Sequence, residues 1–499
     1  MRIFARRNQC QAIKNYNMKN ESGKKRFSFK KRVLIFIGVL LALLSVVLLI
    51  LAWPLVHPKT YSPAQVAADL DSLVVYIERV HPDPYRQLSK AEFYGAVEQA
   101  KQRLSARGKV TPMEFYYEAS RLAAMFKEGH LSVQSDVFIE RDMKLFPYFR
   151  AFRLEPGSHR LFLRTDAEIG GHGFKVGDEL QEINGKSVSE IVDGALEGVS
   201  GESDGFRCAL IDEYYYLPDI LNIWMSQNMP ADLYRVRMRK STGEQMNFDV
   251  ESVGLLKWFA LNRELPVEES LQVKAPFESK MLNDSTLLFS FNECVTEGLE
   301  QFLSDMFAKA KADGVRYLII DNRYNTGGTT EAGDELCRYL TDKRFSSVEK
   351  VVIRFSEPIR RLEREFLNGV MPPRDTLVTQ LDDPASRKQP YGDDVRFDGK
   401  VFLLNSYLTF SAAADFASQF AYYKMGTIVG EETGGMTISS GDIITMKLPN
   451  TGLGLVLPFK LFYNIGADEN APVQGVKPDV EVPSSGALDM ALDMIASGK

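Results

Sequence analysis

The sequence predicts an α/β protein built on a parallel sheet, preceded by one transmembrane helix, a helical segment and a β-rich segment. Three observations carry that reading. From about residue 275 onward, apolar strand-like runs alternate with helical runs, the order a parallel sheet with crossover helices requires. Residues 145 to 255 instead hold short β-like runs between glycines, and residues 58 to 144 hold three helix starts of one design. Residues 33 to 53 carry no charge at all.

Residues 1 to 32 contain eleven Lys and Arg against Glu21 alone, a balance of +10 in a 499-residue chain of net charge -6. The remainder therefore carries -16, which argues against nucleic acid as a partner of the main body. After this basic tail, Val33 to Trp53 would extend roughly 30 Å as a helix, enough to cross a bilayer core. A cleaved signal peptide has a shorter apolar region followed by small residues; here Trp53, Pro54 and Leu55 follow. The expectation is an uncleaved anchor over residues 33 to 56 in the cytoplasmic membrane. Positive charge on its N-terminal side puts the tail in the cytoplasm and everything after about residue 57 outside.

In residues 58 to 144, Ser62 to Gln65, Ser89 to Glu92 and Thr111 to Glu114 each match a capping box, two with proline at the first helical position. The third helix is expected to stop at Gly129. The intervening "HPDP" reads as a turn, with no role for His81. Residues 145 to 255 include "RLFLRT" and "YRVRMRK" as β-like runs, with Asn184-Gly185 as a two-residue hairpin turn. Within them, "CALIDEYYYLPDILNIWM" reads as a helical insertion. Residues 275 to 499 form the core, with "STLLFSF", "VRYLIID", "KVFLLN" and "TIVGEE" as strands.

Cys10 lies in the tail, and Cys208, Cys294 and Cys337 are odd in number and widely spaced, so neither a disulfide framework nor a zinc pattern emerges. The five histidines form no HExxH-like pair, and His159 and His172 read as loop residues. No metal or other cofactor is predicted.

Ligands in parallel α/β sheets bind beyond the carboxyl ends of the strands. Two turns fall there. In "YNTGG", Gly327 and Gly328 allow exposed amides to approach a ligand. In "NSYLTFSAAADFASQF", Ser411 opens a helix, where free amides favour negative charge. Ser411 is either a helix-start residue or a nucleophile.

Two resemblances follow from the motifs. "IGGHGFKVGDELQEINGKSVSEI", Ile169 to Ile191, resembles the PDZ domain. The ordered set "KEGH", "VGDELQEING", "LIIDNRYNTGG", "LTFSAAADFAS", "VGEETGG" and "GVKPDVEV" resembles the C-terminal processing (tail-specific) and tricorn-type serine peptidases across roughly residues 62 to 485. That resemblance implies a core related to the ClpP and crotonase folds, with Ser411 as nucleophile and backbone amides of Gly327, Gly328 and Ala412 as oxyanion donors. Relatives of the Ser-Lys type carry a lysine where this chain has Met436, which cannot accept a proton. The tricorn-type alternative uses a histidine that His130 matches, although Gly129 stands where that type has a serine. Glu469 matches its acid approximately; Ser132 or a backbone carbonyl are alternatives for orienting His130. Asn322 replaces a usually apolar residue.

The expected function is a membrane-anchored serine peptidase acting on peptides or unfolded proteins, with His130 as base and a rate rising near pH 6 to 7. The rivals are a catalytically silent PDZ-containing binding protein and a Ser-Lys enzyme using Lys424 or Lys447.

Overall fold

A computed structural model describes residues 59–134, 143–213, 217–262, 274–362 and 371–498, and Tyr61–Lys499 form one compact unit. The expected anchor lies outside the described residues; among these, no helix is long and apolar enough to cross a membrane.

Helices α1 (Pro63–Val80), α2 (Lys90–Ala106) and α3 (Pro112–Ala124) begin at the three capping boxes, each with both reciprocal hydrogen bonds formed. Helix α3 stops at Ala124, before the expected Gly129, and Lys127 takes the positive φ of 53° in the segment that follows. Strand β1 (Ser132–Gln134) comes next and pairs antiparallel with a strand more than 300 residues later, Ser132 opposite Val456.

The β-rich part contains β2 (Phe152–Glu155), β3 (Arg160–Leu163), β4 (Ala167–Ile169), β5 (His172–Phe174), β6 (Glu179–Ile183) and β7 (Lys186–Ser187). Asn184 and Gly185 both have positive φ, as the two-residue turn requires. Helices α4 (Val188–Leu196), α5 (Asp204–Glu213) and α6 (Leu217–Asn228) follow, the last two supplying the expected insertion. Strands β8 (Leu233–Arg239) and β9 (Gln245–Glu251) complete an antiparallel sheet of order β2-β3-β6-β8-β9, and α7 (Leu255–Asn262) follows.

The core proper comprises β10 (Phe277–Asn283), β11 (Thr286–Phe291), α8 (Leu299–Ala312), β12 (Tyr317–Asp321) and α9 (Thr330–Leu340). After these come β13 (Val348–Phe355), α10 (Glu357–Leu362), β14 (Thr376–Leu381), β15 (Lys400–Asn405), α11 (Ala412–Tyr423) and β16 (Thr427–Gly430). The chain ends with β17 (Ile438–Lys447), β18 (Gly454–Asn464), β19 (Val480–Glu481) and α12 (Ala487–Ala496). One sheet runs β10-β11-β12-β15-β16-β19, parallel except for the β10–β11 pair. Leu318, Ile320 and Leu403 pack under α8, α9 and α11 on one face, while Ile319, Phe402 and Leu404 meet α12 on the other. Burial on both faces explains why these strands read as continuous apolar runs.

A second sheet, β1-β18-β13-β14 with β17 on β18, is antiparallel. The N-terminal helices do not form a core of their own. Leu70, Leu73, Phe93 and Phe115 share one apolar cluster with Ile353, Leu455, Leu457 and Phe459 of that sheet. This shared core, together with the β1–β18 pairing, brings His130 to the C-terminal half of the chain.

Candidate active site

Strand β15 ends at Asn405, and a tight loop delivers Ser411 to the start of α11. Ser411 has φ 52° and ψ -133°, and its side chain makes no capping hydrogen bond. Such backbone geometry costs of order 1–3 kcal/mol for a residue with a side chain. A serine serving only as a cap would sit in extended backbone and bond an amide, as Ser62 does. Instead, Ser411 Oγ lies 3.2 Å from His130 Nε2, across 281 residues of sequence. The cap reading is thereby replaced by a hydroxyl held against an imidazole.

His130 stacks on Phe410 with ring centroids 4.6 Å apart, and Phe410 stacks in turn on Phe206 at 4.5 Å. That stack explains Gly129. A Cβ there would lie 2.7 Å from Phe410 Cζ, 3.0 Å from Phe206 Cε1 and 3.1 Å from Glu202 Oε2. The place of the absent serine is filled by two aromatic rings and a carboxyl group.

Burial pushes the His130 imidazole down to about 4, against the opposing pull of Glu128, Asp442 and the Ser440 backbone. The residue keeps some solvent exposure, yet its Nδ1 atom is buried and makes no hydrogen bond of normal geometry. Unprotonated imidazole at neutral pH suits proton acceptance, but the ionisation expected near 6 to 7 moves down. Glu469 does not orient this ring. It forms an ion pair with Lys350 and its side chain is 57% exposed, so the match to the C-terminal acid is corrected. Ser132 lies in β1, paired with β18.

The glycine turn lies against the serine. A Cβ on Gly327 would fall 2.6 Å from Ser411 Cβ and 3.0 Å from Ala412 N, and Gly327 has φ 108°. Only glycine permits this approach. The Gly327 amide, however, donates to Asn325 Oδ1 at 2.9 Å and so is engaged, contrary to expectation. The amides of Gly328 and Ala412 have no hydrogen-bond acceptor among the described residues. Asn322 Nδ2 donates to Ala413 O at 3.2 Å, tying the end of β12 to the first turn of α11. This polar role accounts for Asn322 where an apolar residue was expected.

Met436 is 3% exposed and bridges to Gly475. Lys424 caps the far end of α11, and Lys447 ends β17; both are exposed. Lys424 stands at the opposite end of the helix from the serine. His159 bridges Asp193 at 2.5 Å and Asp204 at 2.8 Å, off the site, with Cys208 nearby. Sequence reasoning passed over one cluster next to the site. His81, given no role, is fully buried and lies 2.6 Å from Glu128 Oε2. The signal was the acid two residues before His130 in "KEGH".

A serine hydroxyl faced by an imidazole, beside free amides at the end of a parallel strand, is the arrangement of a serine hydrolase. Residues 288–482 match Peptidase family S41, so this part of the chain carries a domain similar to that family, and the protein is a serine-type peptidase. Among solved structures it is similar to mature CPAF, at 14% identity and TM-score 0.57, covering 87% of this chain and 96% of that one. A point mutant of CPAF gives 14% identity and TM-score 0.59 over the same shares. The tricorn protease aligns at 16% identity and TM-score 0.37, covering 87% of this chain and 37% of that one. At these identities, the CPAF likeness bears on fold.

Proposed function

We propose that this chain hydrolyses peptide bonds of peptides or unfolded proteins outside the cytoplasmic membrane, with Ser411 as nucleophile and His130 as general base. Ser411 Oγ attacks the scissile carbonyl carbon while His130 Nε2 takes its proton. The tetrahedral oxyanion is held by the amides of Gly328 and Ala412, joined by Gly327 once Asn325 releases it. The imidazolium then protonates the leaving amine, and water hydrolyses the acyl-enzyme by the same steps. Val33 to Trp53 anchors the protein, and residues 145 to 255 act as a PDZ-like domain that takes an extended segment by strand addition.

The observation that carries this reading is the 3.2 Å contact between a strained, non-capping Ser411 and His130. The test is fluorophosphonate labelling with peptide hydrolysis. Wild type is expected to be labelled and active, and Ser411→Ala to lose both with little change in melting temperature, since no cap bond is lost. Absence of wild-type labelling and hydrolysis favours the binding-protein reading instead, for which the engaged Gly327 amide is the supporting observation.

A further inference from the structure

Behind His130 stands a buried group that the scheme above does not use. Glu128, His81 and Ser440 are 4%, 0% and 2% exposed. Glu128 Oε2 lies 2.6 Å from His81 Nε2 and accepts the Ser440 hydroxyl proton at 2.6 Å. The Asp83 amide donates to His81 Nδ1 at 3.0 Å, so Nδ1 is an acceptor and the ring proton sits on Nε2, pointing at Glu128. Arg354 holds the same turn through the carbonyls of His81 at 2.7 Å and Pro82 at 3.2 Å. The carboxylate is therefore held through Oε2 by two hydrogen bonds.

We propose that Glu128, fixed by His81 and acting through Ser440, is the carboxylate that orients His130 and stabilises its imidazolium. The proposal rests on the Ser411–His130 reading. Ser440 has its hydroxyl committed to Glu128, while its backbone faces the His130 ring, whose Nδ1 is otherwise unpartnered. The Nδ1–H points to the Ser440 carbonyl, leaving Nε2 free to accept the Ser411 proton. No proton passes to Glu128. Its charge acts through space and through the Ser440 dipole, as a positioning residue.

The surrounding charges leave this role to Glu128. Asp442 also acts on His130, but it is paired with Lys460. Glu202, against Gly129, is pushed up to about 8 by burial, with Glu128 adding to the rise, so it stays protonated at neutral pH. Burial raises the Glu128 carboxyl too, but His81, Ser440 and Arg86 outweigh it and hold the group below its ordinary value. Arg86 directs its guanidinium to the Ile438 carbonyl at 3.3 Å. Glu128 is thus a buried carboxylate hydrogen-bonded to His81 and Ser440, with the Arg86 guanidinium as a fixed positive charge acting on it. A buried carboxylate charge is costly to keep without a partner. During the reaction a further positive charge forms beside it, when His130 becomes an imidazolium.

The test compares purified full-length wild type with Glu128→Gln, His81→Gln and the double variant. Peptide kinetics are read alongside NMR titration of the His130 imidazolium in the fluorophosphonate adduct, which mimics the tetrahedral intermediate. Glu128→Gln is expected to lower kcat about tenfold or more with KM within about twofold, and to lower the adduct imidazolium pKa by about one unit. His81→Gln should move both quantities in the same direction, and the double variant should be no worse than Glu128→Gln. The proposal is overturned if kcat stays within twofold, or if kcat falls while the imidazolium pKa does not move, as a purely structural role would give. Should Glu128→Gln fail to fold, Ser440→Ala and His81→Gln keep the carboxylate and decide by the same two readings. Loss of labelling in wild type itself would instead refute the Ser411–His130 reading.

Discussion

The acid side of the pH–rate profile tests the environment of His130 directly. An ordinary imidazole ionises near 6.5, and a serine peptidase using one would lose activity steadily below pH 7. Burial holds His130 down at about 4, because the ring is stacked against Phe410 in a crowded pocket. The two cases separate widely at pH 5. With an ionisation at about 4, roughly 90% of the enzyme holds a free base; with one at about 6.5, only about 3% does. Measuring kcat/KM on one peptide from pH 4 to 8 therefore distinguishes them, since this ratio reports ionisations of the free enzyme. The expected profile is nearly flat from pH 5.5 to 7.5 and falls only below about pH 5. A rising limb centred at 6.5 would refute the claim that burial dominates at this ring. A limb above pH 7.5, together with retained activity in His130→Ala, would restore a lysine base.

The same shift has a sign for stability. The folded-state value of His130 lies below the unfolded one, so the unfolded chain binds more protons between about 4 and 6.5. Stability is then full above the unfolded value and falls as pH drops toward the folded value. His130→Ala, which has no such group, should show a smaller fall in melting temperature between pH 7 and 5.

Other outcomes follow from single contacts. Gly129→Ala should lose about 1–3 kcal/mol of stability and much of its turnover, because the added Cβ meets Phe410, Phe206 and Glu202; a melting temperature unchanged by calorimetry would contradict that crowding. Glu469→Ala should keep activity within about twofold, since its carboxylate sits in a surface pair with Lys350, and a hundredfold loss would reinstate it as the acid. Glu202, raised by burial to about 8, contributes stability that is present at low pH and lost as pH rises through that value. Glu202→Gln should therefore gain in melting temperature relative to wild type between pH 6 and 9, and a constant difference would argue against the shift. Fractionated cells should hold the full-length chain in the membrane pellet, whereas a soluble form cleaved after residue 53 would exclude an uncleaved anchor.

What the sequence made legible follows from how locally each feature is specified. "KVFLLN" gave β15 to the residue, because a strand buried on both faces is a continuous apolar run between turns. The capping boxes were legible because both partners of each lie three residues apart. Strands β17 and β18 were not read. In β18, "GLVLPFKLFYN" is largely apolar with Pro458 inside it, and its alternation is erased where the N-terminal helices cover it. Gly129 looked like a helix stop because glycine favours positive φ, yet Lys127 takes that geometry and Gly129 instead makes room for an aromatic stack.

The site divides along the same line. Ser411 and the glycine turn were found because each sits at a strand end in a recognisable local pattern. The engagement of Gly327 by Asn325 was invisible, since the choice of acceptor depends on a side-chain rotamer. Glu469 matches the acid only by its place near a C-terminal motif, and from a turn it pairs with Lys350 of β13, 119 residues away. Glu128 meets His81 across 47 residues and Ser440 across 312. A charge supporting a base can come from anywhere the fold permits, so its sequence position carries little information. Its burial does: a carboxylate taken out of water must meet positive charge or donors. Around Glu128, His81 and Ser440 supply the donors and Arg86 a positive charge, and under the proposed mechanism the His130 imidazolium would add another.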